Sequence, residues 1–227
     1  MGRLNAEYGS ELHLLRYLGR HRHLLHQHIE KTIPGRMIDW VDFNFDAMRF
    51  DAEWLGVDFL PNYLPAKNRW KEFWPQTGTV QNWDAIGWIE VDSHPELLLV
   101  EAKAHAKELF SQTGAKPEGG LGKIQAAFVE TKKAMGVADD ADWTQPYYQY
   151  CNRLATLHFL TQNGIGARML FIYFCGDRNP NESCPTNEDQ WKPELSKMYT
   201  HTKVTGGSEL EKRVHSIFLP VFEPATD

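Results

Sequence analysis

The alternation of apolar and polar positions divides the chain into segments of helical and of strand period. From Ser10 to about Ile29, Leu15, Leu18, Leu25 and Ile29 build one apolar face, with Ser10 as N-cap, so this stretch reads as a first helix. Met37 to Phe45 alternates only in part and forms either a first strand or an inserted segment. Leu60 to Trp83 sets Trp70, Phe73, Trp74 and Trp83 beside Lys67, Arg69 and Lys71, with Pro61, Pro65 and Pro75 breaking regular structure. Such a mixture serves either as a stacking platform for unpaired bases or as a loop tucked over the core, and the loop is preferred. Asp84 to Val91, the turn-forming Asp92-Ser-His-Pro95 and the apolar run Leu97 to Ala102 read as a hairpin of two antiparallel strands. Lys123 to Met135 then reads as a helix and Gly136 to Asp142 as a polar connector. Thr144 N-caps a second helix, with Pro146 in its first turn, that stops near Gln162 before Asn163-Gly164. Ala167 to Cys175 is a buried strand, and Glu188 to Tyr199 and Glu209 to Phe218 read as peripheral helices.

Composition changes this picture little. A chain of 227 residues with a 42% hydrophobic share can bury one sizeable core. No apolar run approaches a membrane span and no signal-peptide pattern opens the chain, so a cytoplasmic protein without a membrane partner is expected. Cys151, Cys175 and Cys184 lack metal-type spacing and are expected as reduced thiols. The net charge of −6 counts against nonspecific coating of nucleic acid. Arg16 to Arg22, Lys67 to Lys71, and Lys123 with Lys132-Lys133 are candidate basic patches, each preferred as a solvated helix face.

The chemistry concentrates in the hairpin. On a strand alternate residues share a face, so Glu101 and Lys103 point one way and Ala102 the other. Asp84 opens the first strand and Glu101 closes the second, so pairing brings two carboxylates and an ammonium to one end of the sheet. No Ser-His-Asp arrangement competes, and Gly119-Gly-Leu-Gly122-Lys123 lacks the spacing of a P-loop.

At Asp84, the strand Leu97-Leu-Leu-Val100 and Glu101-Ala102-Lys103, the chain resembles the PD-(D/E)XK nuclease superfamily, although Trp83 stands where the namesake Pro would be. The resemblance implies an α/β, restriction-endonuclease-like αβββαβ core, with a central mixed sheet flanked by helices, C-terminal helices at the periphery and residues 1–227 as a single domain. It implies that Asp84, Glu101 and the Ala102 backbone carbonyl hold Mg²⁺, with Mn²⁺ able to substitute, and that Lys103 positions the attacking water. Some branches add a Glu from the first helix; Glu11 has that place, and the helix dipole accounts for a first-turn Glu equally well. Others place a Gln and a partner on the helix after the Glu-x-Lys strand. Gln149, Asn152, Arg153 and Thr156 form a polar stripe there, which makes Gln149 a catalytic candidate and Arg153 and Asn152 substrate contacts. His13, His21, His23, His26 and His28 spread around the first helix and read as solvated. The activity expected is hydrolysis of phosphodiester bonds in DNA, with RNA as the less favoured substrate. A noncatalytic nucleic-acid-binding or structural module is the alternative. The oligomeric state stays open, with a homodimer among the options.

Overall fold

The computed structural model describes residues 8–41, 54–60, 64–77 and 81–222. Two helices, α1 (Ser10–Arg20) and α2 (Arg22–Thr32), precede β1 (Arg36–Trp40), and a short antiparallel pair, β2 (Trp54–Leu55) and β3 (Asn82–Trp83), brackets α3 (Leu64–Phe73). The hairpin strands β4 (Ala85–Val91) and β5 (His94–Lys103) come next, followed by α4 (Leu121–Met135), α5 (Tyr148–Gln162), β6 (Ala167–Cys175), α6 (Glu188–Thr202) and β7 (Val214–Pro220). The main sheet has five strands in the order β1-β4-β5-β6-β7. Its first three are antiparallel neighbours, and β6 and β7 add on in parallel. The protein is a mixed α/β structure with a central mixed sheet flanked by helices.

β5 lies at the middle of the sheet, covered on both faces, which is why its sequence runs apolar without a break. Leu97 and Leu99 join Phe171, Tyr173 and the helices α3 to α6 in one core. Leu98, Val100 and Ala102 join Leu170, Ile172 and the apolar residues of α1 and α2 in the other. A parallel neighbour for β5 needs a long crossover, and α4 and α5 supply it. The hairpin itself turns at Asp92 and Ser93, whose φ values of 50° and 63° give the left-handed pair that matches strand twist. His94 and Pro95 therefore belong to β5, opposite Val91 and Glu90, and not to the turn.

Several expected elements differ. The first helix is split at His21 (φ −127°, ψ 29°), and Gly9 holds the N-cap position that Ser10 was expected to fill. The segment from Leu64 is a helix, not a loop. Trp70 and Trp74 are buried with Trp83 in the core, which removes them as a base-stacking platform. α5 starts at Tyr148, because Thr144 spends its N–H and hydroxyl on Asp142 while Ser111 Oγ accepts the N–H of Gln149 at 2.7 Å. Glu209 to Phe218 is no helix: a short turn leads into β7, whose alternate residues pack on the two sides of the sheet beside β6. One C-terminal helix, not two, thus flanks the sheet. Part of the Met37–Phe45 segment forms β1, and residues 42–45 lie outside the described residues.

Leu98 is fully buried between the sheet and α1–α2. Leu98→Ala is expected to lower unfolding free energy by about 2–5 kcal/mol through lost transfer energy and a residual cavity, read as a lower urea midpoint at unchanged slope.

Candidate functional site

Pairing between β4 and β5 ends at Ala85 and Val100, so Asp84 lies where the next ladder residue would be. Its side chain replaces the missing strand, with Oδ2 accepting the Ala102 N–H at 2.6 Å. In a strand the N–H and C=O of one residue point to the same edge, so the Ala102 carbonyl faces the Asp84 side as well. Glu101 and Lys103 face α5. Lys103 Nζ donates to Glu101 Oε1 and, at 2.8 Å, to Gln149 Oε1. The other Glu101 oxygen accepts from Arg153, at 2.8 Å from Nε and 2.7 Å from a terminal nitrogen. The same guanidinium donates to Asn152 Oδ1 at 2.9 Å and to the Asn82 carbonyl, and lies over the Trp83 ring at 4.6 Å from its centroid.

Helical spacing explains why one element supplies so many partners. Gln149, Asn152, Arg153 and Thr156 occupy one side of α5, and this side is turned toward β5 and not toward solvent: Asn152, Arg153 and Thr156 are all buried. Thr156 Oγ1 donates to the Asn152 carbonyl at 3.0 Å and accepts from Gln81 Nε2 at 2.7 Å. Ser111 and Gln81 were not singled out from the sequence. Each is an isolated polar residue whose part depends on a contact across the fold, and no local pattern marks it.

Electrostatics separate the two carboxyls. Burial, then the charge of Glu101, raises Asp84 from 3.8 to about 7, against the lowering effects of Lys103, the Ala102 N–H and Arg153. Burial by itself would raise Glu101 too, but Arg153 and Lys103, by charge and hydrogen bond, more than offset it and hold the group below its usual range. Glu101 is therefore the fixed anion of the site. Asp84 is the carboxyl whose charge is costly without a further cation.

Asp84 also opens onto a cleft of about 880 Å³ bounded by residues 111–120, the end of α3 with Trp74 and Pro75, and the face of α5. Glu101 and Lys103 lie behind it, around a void of about 10 Å³ with Tyr150 and Tyr173.

Comparison with protein-family models, curated proteins and solved structures returned no match.

The geometry brings Asp84, Glu101, Ala102, Lys103, Gln149, Asn152 and Arg153 together, and leaves Glu11 exposed in the first turn of α1 outside their hydrogen-bond network. The α1 residue that approaches the end of β5 is Ser10, whose hydroxyl donates to Glu108 at 3.4 Å while Glu108 accepts the Ala104 N–H at 2.5 Å. His13 is not solvated: it is buried, 2.8 Å from Asp177. The basic patches are largely tied to their own surroundings. Lys132 is buried on the carbonyls of Asp139 and Ala141, and Lys67, Arg69 and Lys123 bond to Asp58, Asn163 and Lys71. Among the described residues no three His, Cys, Asp or Glu side chains converge as a metal cage, and no helix is long and apolar enough to cross a membrane.

Two outcomes follow from the charges. Arg153→Ala leaves Glu101 buried with half its compensation, and a loss of about 3–5 kcal/mol is expected in denaturant titration; Glu101→Gln in the same background should restore part of it. With chelator present, Asp84 is protonated in the folded chain at pH values where the unfolded chain has released that proton, so its contribution to stability falls as pH rises from about 4 to 7. Asp84→Asn should therefore be more stable than wild type at about pH 8 and indistinguishable near pH 4. A constant difference across that range would refute the assignment.

Proposed function

We propose that the protein is a Mg²⁺-dependent phosphodiesterase that hydrolyses nucleic acid, DNA ahead of RNA, on a restriction-endonuclease-like αβββαβ core. The observation that carries the reading is the meeting of Asp84 with the Glu101-Ala102-Lys103 strand end, 17 to 19 residues further along the chain, behind a cleft that Asp84 lines and that is large enough for substrate. The order of elements through β6 supports it: helices, three antiparallel strands, crossover helices, and a parallel strand.

The donor set fits a hard divalent cation. Mg²⁺ commonly takes one or two carboxylates and fills its remaining positions with water and substrate phosphate, so Asp84, Glu101 and the Ala102 carbonyl suffice without a third acid. These groups would hold Mg²⁺ or Mn²⁺, which when bound would polarise the scissile phosphate and lower the pKa of bound water. The chain supplies the rest. Gln149 accepts from Lys103 and so fixes the direction of its ammonium, which steadies the developing negative charge. Arg153 holds Glu101 in place, and in exchanging that carboxylate for phosphate it would offer a planar, bidentate donor. A noncatalytic binding module is the second reading, favoured by one observation: both Glu101 oxygens are already engaged by cations.

Purified protein is expected to cleave linear DNA with Mg²⁺ or Mn²⁺ and to stop with chelator. Glu101→Gln should be inactive, and equal cleavage by wild type and variant would assign the activity to a contaminant. In calorimetry Asp84→Asn and Glu101→Gln should weaken Mn²⁺ binding. Lys103→Ala, which removes a cation and no ligand, should abolish turnover with Mn²⁺ affinity kept or increased. Unchanged Mn²⁺ affinity in both carboxylate variants sinks the metal site.

A further inference from the structure

The walls of the cleft are held by backbone bonds, and their chemistry is mixed, with amides and hydroxyls beside Trp74, Pro75 and Ile124. Ser111 and Thr113 donate N–H bonds to the Pro146 and Thr144 carbonyls at 2.6 and 3.0 Å, and Tyr148 N–H returns to the Ser111 carbonyl at 3.2 Å. This pins the start of the 111–120 segment to the approach of α5. At its other end Gly120 meets the segment that follows α3 so closely that a Cβ there would lie 2.6 Å from Pro75 Cβ. The cleft between has a volume in the range of a pocket for a ligand of drug size. Among the described residues its lining carries one exposed lysine, Lys116, and one exposed glutamate, Glu118, in a chain of net charge −6. Tracking of many phosphates needs a far more basic surface.

The polar groups at the floor are oriented by their neighbours. The Thr156 hydroxyl gives its hydrogen to the Asn152 carbonyl, so it can only accept from Gln81. Gln81 must therefore present its nitrogen to Thr156, and its oxygen is left as a buried acceptor with no donor among the described residues, in a side chain only 7% exposed. A buried acceptor without a partner is costly to the free protein and is relieved by a ligand N–H. Lys103 has only hydrogens to give. Gln149 therefore turns its oxygen toward Lys103 and keeps its NH₂ as the remaining polar end. Gln81 and Gln149 both line the cleft beside the carboxyl of Asp84, one with a buried acceptor unpaired and the other with its NH₂ left over.

From this we infer that the cleft is a nucleobase pocket: it takes one unpaired base of a nucleic-acid strand, whose exposed edge offers both donors and acceptors, and so draws the adjoining phosphate to Asp84. Unpaired bases are read along such edges once they are out of the stack. The inference rests on the phosphodiesterase reading for its orientation toward Asp84, while the base pocket itself rests on Gln81, Gln149 and the cleft walls. Selection of substrate would then come from strand state and base, and a blunt duplex would be a poor ligand.

The test is binding by the full chain with Ca²⁺ in place of Mg²⁺, followed by anisotropy. The probes are a short fluorescein-labelled single strand, its blunt duplex, and the same duplex carrying one bulged nucleotide. Single strand and bulged duplex are expected to bind at least about tenfold more tightly than blunt duplex, a difference of about 1.4 kcal/mol. Gln81→Met, which keeps the shape and removes the amide, should reduce single-strand binding by a similar factor with Mn²⁺ affinity unchanged. Should Gln81→Met fail to fold, exposed Gln112→Ala on the opposite wall is expected to weaken single-strand binding severalfold and leave duplex binding alone. Equal affinity for single strand and blunt duplex overturns the base pocket, as does indifference of single-strand binding to the substituted amide. Cleavage assayed separately with Mg²⁺ distinguishes the two claims: selective binding without cleavage removes the enzyme and keeps the pocket, and cleavage without strand preference does the reverse.

Discussion

The buried charge of Glu101 is the constraint around which this structure is organised. A carboxylate at 1% exposure is tolerable only with charged and hydrogen-bonding partners. Both partners come with conditions of their own. Lys103 sits two residues along the same strand and needs Gln149 to complete its bonding; Arg153 reaches in from α5 and needs Asn152, the Asn82 carbonyl and the Trp83 ring. Satisfying one anion therefore ties the sheet, α5 and β3 into a single arrangement. Loss of any member leaves a buried group without its partner, so the cluster is rigid by necessity.

That rigidity has a chemical side. The cations around Glu101 leave Asp84 as the carboxyl facing open space, with burial and its anionic neighbour making its ionisation costly. A site in which one acid is permanently charged and a second is poised near neutrality has its two acids pushed apart in role by environment alone. The same ion pairs set a competition: a cation that engaged Glu101 would have to displace Lys103 or Arg153 or share an oxygen with one of them.

The cleft adds a restriction on what can approach. Its walls belong to three distant stretches, the end of α3, residues 111–120 and the start of α5, held by backbone bonds and by the Gly120–Pro75 contact. Among the described residues its lining carries Lys116 and Arg153 against Asp84 and Glu118, so its charges are balanced.

Sequence alone was sufficient for whatever depends on neighbours along the chain. The hairpin, the shared face of Glu101 and Lys103, the buried strand at β6 and the helices at α4, α5 and α6 are all set by period and turn residues, and the carboxylates meet because an antiparallel hairpin returns on itself. Tertiary structure decided what depends on contacts between distant segments. Helix and strand propensities do not distinguish a polar stripe facing water from one facing a buried carboxylate, so the burial of Asn152, Arg153 and Thr156 could not be read from α5 itself. The aromatics around Trp70 and Trp74 have the same composition on a surface or in a core, and only packing against α4 and α5 placed them inside. β7 looked helical because its apolar spacing is ambiguous over so short a length, and pairing with β6 resolved it. Ser111 and Gln81 carry no local signal at all, because a single polar side chain acquires its role only from the partner that folding brings to it.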